Sequence, residues 1–203
     1  SQRGSFGDIA ASSFGGMVYY TSPDRSSLLE LLQSQSIKAI CDADWKDLLI
    51  ERLPEIPNFT LLVGWTGQVA ITDSLIQATE KKRKVETDSV FYKEFLAKSH
   101  AIVQGIQSAW NKQDIPALQE GIRANRALLN EFARVIQLEI ETPALRALCA
   151  LAEQNGACAK TSGAGGGDCG ICFTQNEQQR QQIENQWAKA QIQVLPLSIA
   201  EAW

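Results

Sequence analysis

The sequence predicts an α+β fold, a ferredoxin-like split β-α-β arrangement with extra helices in its first crossover. Three observations carry that prediction. From Phe59 onward the patterns run strand, helices, strand, strand, helix, strand. Two long amphipathic helices follow the first of these strands. A glycine-dense segment, Lys160–Cys172, joins the second strand to the third.

Before Phe59, Asp8 stands at a helix N-cap position, with Ile9–Phe14 as the helix and Gly15-Gly16 as its stop. Met17–Tyr20 reads as a short strand, Ser26–Gln33 as a leucine-bearing helix and Ile37–Ile40 as a further strand. Residues 41–58 are mixed, with Pro54 and Pro57 near the end. Phe59–Val63 is an apolar run between Pro57 and Gly64, the pattern of a buried strand.

The first long helix runs from near Asp88 to Asn111, with Phe91, Phe95, Ile102 and Ile106 at helical spacing. The second opens at Asp114 with Pro116 in its first turn, and Leu118, Ile122, Leu129, Phe132 and Ile136 form its stripe. A third starts at Thr142-Pro143 and stops at Asn155-Gly156. Strands at 157–160 and 169–173, a helix at 177–189 and a strand at 191–195 complete the order.

The chain has 203 residues, 44% hydrophobic and 21% charged, enough to bury a sizeable core. A net charge of −4 gives no general attraction to nucleic acid or to an anionic membrane. No apolar run approaches a membrane span, and the opening Ser-Gln-Arg-Gly lacks the layout of a signal peptide. Five cysteines without a disulfide-like spacing read as free thiols in a reducing cytoplasm. With His100 the sole histidine, a Cys/His zinc site is disfavoured and no metal ligands are assigned. The chain begins without methionine, and its first glycine-rich stretch lies at Gly4–Asp8 with no strand before it. Both features predict a carboxy-terminal fragment.

Gly163, Gly165, Gly166 and Gly167 crowd five positions between two strands. Glycine weakens helix and strand interiors, yet it lets a backbone turn tightly and bring N–H groups close to an anion. A plain hairpin connection is the alternative, but a short one needs fewer glycines. The Rossmann pattern fails because Asp168 occupies its third glycine position and a strand follows. The P-loop pattern fails because no Gly-Lys-Ser/Thr ends the run. Cys169 and Cys172 form a C-x-x-C in a strand, where residues three apart face opposite sides, so they read as packed side chains.

Arg126 shares the buried stripe of the second long helix and needs an anionic partner, either an internal carboxylate or a ligand phosphate. Asn125 stands beside it. Glu80–Lys84 reads as a solvated basic face or as a loop that closes over phosphates, and Trp65-Thr66-Gly67 as a pocket edge.

The segment Lys160–Gly170 resembles the third motif of the GHMP small-molecule kinases, and Gly4–Ser12 resembles the segment carrying their active-site aspartate. Asp168 at the end of the glycine run, Val63–Gly67 and Asn125-Arg126 are similar to the bacterial-type phosphomevalonate kinases. The resemblance implies a carboxy-terminal GHMP domain at 59–203, preceded at 1–58 by a remnant of the amino-terminal domain. It implies ATP-dependent phosphorylation of (R)-5-phosphomevalonate to the diphosphate in the mevalonate route to isoprenoids, with ATP and Mg²⁺ serving the intact enzyme.

In that picture Asp8 is catalytic and orients a lysine or the nucleophile. Ser162, Gly163, Ala164, Gly165, Gly166 and Gly167 hold the phosphoryl acceptor, with Asn125 and Arg126 as further substrate contacts. The superfamily's ATP-phosphate loop and the family's amino-terminal lysine have no match here, so the fragment is expected to be inactive alone. Expected partners are the phosphorylated substrate, ATP, and the missing amino-terminal half or a second copy. Alternatives are mevalonate kinase, diphosphomevalonate decarboxylase, or a non-catalytic ferredoxin-like ligand-binding or dimerisation module.

Overall fold

Side-chain caps decide where most helices begin. Asp24, Ser36, Ser89, Asp114, Thr142 and Asn176 each accept the N–H three residues on, at Ser27, Ala39, Tyr92, Ala117, Leu145 and Gln179. Each cap satisfies one of the donors that a helix start leaves open. The computed structural model describes residues 6–67, 89–163 and 165–201. It divides into two compact units, Ser1–Glu55 with Ile199–Trp203, and Ile56–Ser198.

The first unit holds α1 (Gly7–Phe14), β1 (Met17–Thr21), α2 (Arg25–Ser34), α3 (Ile37–Cys41) and β2 (Leu49–Leu53). β1 and β2 pair antiparallel, Met17 opposite Leu53. The Gly16 N–H donates to the carbonyl of Ala200 at 2.8 Å, tying the end of the chain to this unit.

Two expectations are corrected here. The strand expected at Ile37–Ile40 is helix α3, because the Ser36 cap starts a helical turn and Ile37, 81% exposed, has no sheet to join. Asp8 is not an N-cap: Phe6 holds that position at φ 64° without a side-chain cap, and Asp8 lies inside the first turn. A carboxylate there still favours the helix through its dipole. Strand β2 had no assignment from sequence, because its centre is Glu51-Arg52 and its apolar residues are Leu49, Ile50 and Leu53. Among the described residues of this unit only Ala10 and Ile40 are buried hydrophobics, while Ile9, Leu29, Leu32, Ile37 and Leu49 are exposed.

The second unit runs β3 (Thr60–Trp65), α4 (Val90–Asn111), α5 (Ile115–Val135), α6 (Pro143–Gln154), β4 (Cys158–Thr161), β5 (Cys169–Thr174), α7 (Glu177–Lys189) and β6 (Gln193–Leu195). Its sheet has the order β4-β5-β3-β6, antiparallel throughout. This is the split β-α-β order predicted, with α4 and α5 as the additional helices of the first crossover. The basic run at 80–84 lies outside the described residues.

One face of the sheet packs Leu62, Ala159 and Cys172 against Leu148, Cys149 and Ala152 of α6 and Ile183 and Trp187 of α7. Gly64 and Gly170 are register partners on this face. A Cβ on Gly170 would lie 2.6 Å from Leu148 Cδ2, and one on Gly64 would lie 2.8 Å from Leu148 Cδ1 and 2.9 Å from Trp187 Cζ3. The two glycines make a floor on which Leu148 rests. The Trp187 Nε1–H donates to the Leu148 carbonyl at 3.0 Å, so the indole's polar edge is satisfied inside the core. On the other face Phe59 stacks on Phe173 at 4.9 Å, and Trp110 of α4 meets both rings edge-on.

Helix α5 packs on the edge strand β4. Gln119 Nε2 donates to the carbonyl of Gly156 and Arg123 Nη2 to that of Ala157, occupying acceptors just before the strand. α4 closes on α5 where Gly121 faces Ile106, and Phe132 stacks on Phe95 at 4.2 Å. Cys172 is fully buried and Cys169 is partly exposed, on opposite faces as the strand period requires. All five cysteines are free, and burial pushes the Cys149 thiol up to about 12 and Cys158 up to about 11.

Leu148→Ala is expected to cost about 2–5 kcal/mol, because the cavity would sit above a floor that has no side chains to collapse into it. Gly170→Ala is expected to cost about 1–3 kcal/mol through overpacking against the same leucine. Urea unfolding followed by tryptophan fluorescence measures both.

Candidate functional site

The connection between β4 and β5 spans residues 162–168, and its two ends are held by different partners. At the base the Ser162 N–H donates to the Cys169 carbonyl at 3.0 Å. On the far side the Asp168 carbonyl accepts both the N–H and the Oγ1–H of Thr66, each at 2.9 Å. Asp168 adopts φ 62°, a left-handed conformation that aspartate tolerates better than most residues. Thr66, read from sequence as part of a pocket edge, is therefore an anchor for the loop.

In between, the Gly166 N–H donates to the carbonyl of Ile140 at 2.8 Å. Gly165 lies directly against that carbonyl: at φ +79°, a Cβ would come within 2.1 Å of the Ile140 oxygen. Gly165 and Gly167 are buried, whereas Ser162 and Gly163 are exposed. A Cβ on Gly163 would meet nothing within 4 Å. The glycine-rich run thus has two halves. Residues 165–167 pack against the protein and Ser162-Gly163 face open space. Ala164 lies outside the described residues. The amides of Ser162 and Gly166 are committed to protein acceptors, and among the described residues those of Gly163, Gly165 and Gly167 are not.

Ile140 stands beside a buried charge cluster. Glu141 is 5% exposed and receives Arg126 Nε on Oε2 at 3.1 Å, Arg126 Nη2 on Oε1 at 2.5 Å, and Asn130 Nδ2 on Oε2. Its backbone carbonyl accepts Arg146 Nη2 at 3.2 Å. Arg126 Nη1 also reaches Glu153 Oε1 at 2.7 Å, near the end of α6. Of the two partners sequence left open for Arg126, the structure supplies the internal carboxylate, twice over. Burial alone would raise the Glu141 carboxyl; the bonds from Arg126 and Asn130 and the charges of Arg126 and Arg146 outweigh it and hold the group below the ordinary glutamate value. Hydrogen bonding to Glu141 raises the Arg126 guanidinium against the opposing effect of burial.

An open groove of about 640 Å³ runs beside the cluster, lined by Arg126, Asn130, Arg134, Ile140, Glu141 and Arg146 among others. Asn125 is half-buried, and among the described residues its side chain makes no hydrogen bond. Lys160, at the foot of the loop, donates Nζ to the Thr161 carbonyl at 2.7 Å. Burial holds its ammonium below the usual lysine value, with Cys149 acting weakly the other way. Asp8 belongs to the first unit, where it is exposed on α1 and its carbonyl accepts Ser12 Oγ. Among the described residues no group of three or more His, Cys, Asp or Glu is placed to hold a metal ion.

Glu141, Asn130 and Glu153 were not singled out from sequence. The available signal was indirect: Arg126 on an apolar stripe needs an anionic partner, and Glu141 directly precedes the Thr142 cap.

Gly165→Ala is expected to destabilise the protein by about 1–3 kcal/mol and to displace the loop, because the obstacle is backbone at an unfavourable φ. Gly163→Ala is expected to stay within ~0.5 kcal/mol of the parent. Urea unfolding and crystallography of the two variants test the contrast. The depressed Glu141 value sets a pH dependence. Its stabilising contribution is complete above the unfolded carboxyl value of 4.5 and is lost as pH falls through the lower folded value. The thermal midpoint should therefore fall more steeply below about pH 4.5 for the parent than for Glu141→Gln, as calorimetry at stepped pH would show.

Three comparisons bear on this site. A family model described as "GHMP kinases C terminal" matches residues 102–193, which span α5 and α6, the glycine loop and α7. The phosphomevalonate kinase of Streptomyces sp. (strain CL190) is 36% identical over 98% of this chain, which covers 53% of that protein. Among solved structures, a Lin0012 protein from Listeria innocua superposes with a TM-score of 0.92 at 34% identity, over 98% of this chain and 56% of that one. The Streptococcus pneumoniae phosphomevalonate kinase in complex with phosphomevalonate and AMPPNP follows, with a TM-score of 0.80 at 28% identity, over 95% of this chain and 54% of that one. The chain spans about half the length of these relatives. No described helix is long and apolar enough to cross a membrane. Residues 102–193 are thus a GHMP kinase C-terminal domain, in a chain that is 36% identical over 98% of its own length to a phosphomevalonate kinase of which it covers 53%.

Proposed function

We propose that this chain is the acceptor-binding portion of a cytoplasmic phosphomevalonate kinase, which transfers a phosphoryl group from ATP to (R)-5-phosphomevalonate in the mevalonate route to isoprenoids. One observation carries the reading: the loop at 162–168 is anchored at Cys169, Thr66 and Ile140, yet presents Ser162 and Gly163 to open space. Fixed backbone amides beside an exposed hydroxyl suit a phosphate that must be held still. The similarity to the Streptomyces phosphomevalonate kinase supports the choice of substrate.

The chemistry asks little of a base. A phosphomonoester has a second pKa near ~6 and is mostly a dianion at neutral pH, so its oxygen is already a nucleophile. That oxygen forms the new P–O bond as the bond to ADP breaks. The task is to bring two polyanions together, which positioning and charge neutralisation accomplish. In this proposal Ser162 and the Gly163 amide meet the acceptor phosphate at the exposed end of the Ser162–Gly167 run, and Gly165, Gly166 and Gly167 hold that end in place. Asn125 contributes a further polar contact, and Asp8 orients the attacking group or its lysine partner. Arg126 acts through Glu141, since its guanidinium is engaged there and at Glu153.

ATP supplies the phosphoryl group, and Mg²⁺ would neutralise its charge. The described residues do not fit a metal cage, so the ion is assigned to no residue of this chain. The thin core of the first unit, with seven large apolar side chains exposed among its described residues, supports completion by further polypeptide rather than independent action.

Calorimetric titration of the 203-residue chain with (R)-5-phosphomevalonate is expected to show binding. Gly163→Val should weaken that binding at least about tenfold while leaving the thermal midpoint within ~2 °C. Unchanged affinity in that variant would sink the loop assignment. In the intact kinase Asp8→Asn is expected to lower kcat at least ~100-fold. The 203-residue chain alone should show no turnover in a coupled ADP assay.

A further inference from the structure

We infer that Glu141, clasped by Arg126 and Asn130, is a positioning residue that aims the glycine loop through the main chain of Ile140 and so governs acceptor binding. The inference rests on the reading that this loop meets the acceptor.

The Ile140 carbonyl and the Glu141 nitrogen belong to a single planar peptide unit. Whatever fixes the Glu141 backbone also limits the direction of that carbonyl. Glu141 is fixed from two sides. Its carboxylate takes Nε and Nη2 of Arg126, one edge of the guanidinium, and the Asn130 amide, all from α5. Its own carbonyl takes Arg146 from α6. Arg126 then reaches Glu153, twelve residues along and near the far end of the same α6. The guanidinium therefore bridges α5 to both ends of α6, and a planar fork defines direction as well as distance.

The carbonyl so aimed is the one that receives the Gly166 N–H and abuts Gly165. There is no side chain in this contact to absorb a shift. A small rotation of the 140–141 peptide either breaks the Gly166 bond or drives the carbonyl oxygen into the Gly165 backbone. Loop placement is thus slaved to a carboxylate whose hydrogen bonds go to Arg126 and Asn130 of α5. A carboxamide cannot replace it: Glu141→Gln keeps the shape but turns one acceptor into a donor facing Arg126 or Asn130.

Backbone amide exchange by NMR on the 203-residue chain, with calorimetry against (R)-5-phosphomevalonate, tests this. In Glu141→Gln the Gly166 amide should exchange at least about tenfold faster, with Cys172 and Ile183 amides in the core unchanged, and substrate affinity should fall at least about tenfold. Arg126→Lys, which keeps the charge but loses the fork, should shift both readouts in the same direction and stands in if Glu141→Gln does not fold. Unchanged Gly166 exchange in the folded variant would overturn the positioning role. Faster Gly166 exchange with unchanged affinity would overturn the link to the acceptor. If Gly163→Val also left affinity unchanged, the loop's assignment to the acceptor would be the part that failed.

Discussion

The Gly166 N–H meets the Ile140 carbonyl at 2.8 Å, and Gly165 leaves that carbonyl no room for a β-carbon. Main chain touching main chain is the constraint on which the loop's shape depends. A side chain at the contact could change rotamer, whereas two peptide groups at hydrogen-bond distance cannot. The helices serve this contact. α5 delivers Arg126 and Asn130, α6 delivers Arg146 and Glu153, and the short connection between them carries Ile140 and Glu141. On the opposite side Thr66, just past β3, fixes Asp168. The exposed Ser162-Gly163 end is therefore offered to solvent from a frame held on three sides.

Much of this frame was legible from residues alone. The six caps are all Ser, Thr, Asp or Asn, and where each precedes an apolar period the helix starts follow directly. The strand order came from alternating apolar runs bounded by glycine and proline. Ile37–Ile40 misled because β-branched residues favour strands only when a partner strand is present, and there the Ser36 cap has nothing to compete with. Strand β2 stayed hidden for the converse reason: its pairing with β1 compensates for a polar centre.

The candidate site was legible in its loop but not in its support. The glycine run announces a tight backbone approach without saying to what. That half of it approaches Ile140 depends on the bonds that Arg126 and Asn130 of α5 make to Glu141, which no local pattern encodes. Arg126 announced an anion but neither its kind nor its address, because Glu141 and Glu153 lie 15 and 27 residues away in sequence. The pair of glycines at 64 and 170 shows a third use of the residue, where absence of a side chain admits Leu148 instead of a turn or a ligand.

That distinction bears on how such a protein can drift. The crowding at Gly170 is against the carbons of Leu148 alone, so a gain of volume there is open to a second-site suppressor: trimming Leu148 relieves it. Gly165 has no such escape. Its obstacle is a carbonyl that every residue at position 140 would carry, and no change of side chain removes an oxygen of the main chain. Lineages can therefore wander at 170 in concert with 148, while position 165 is closed to them.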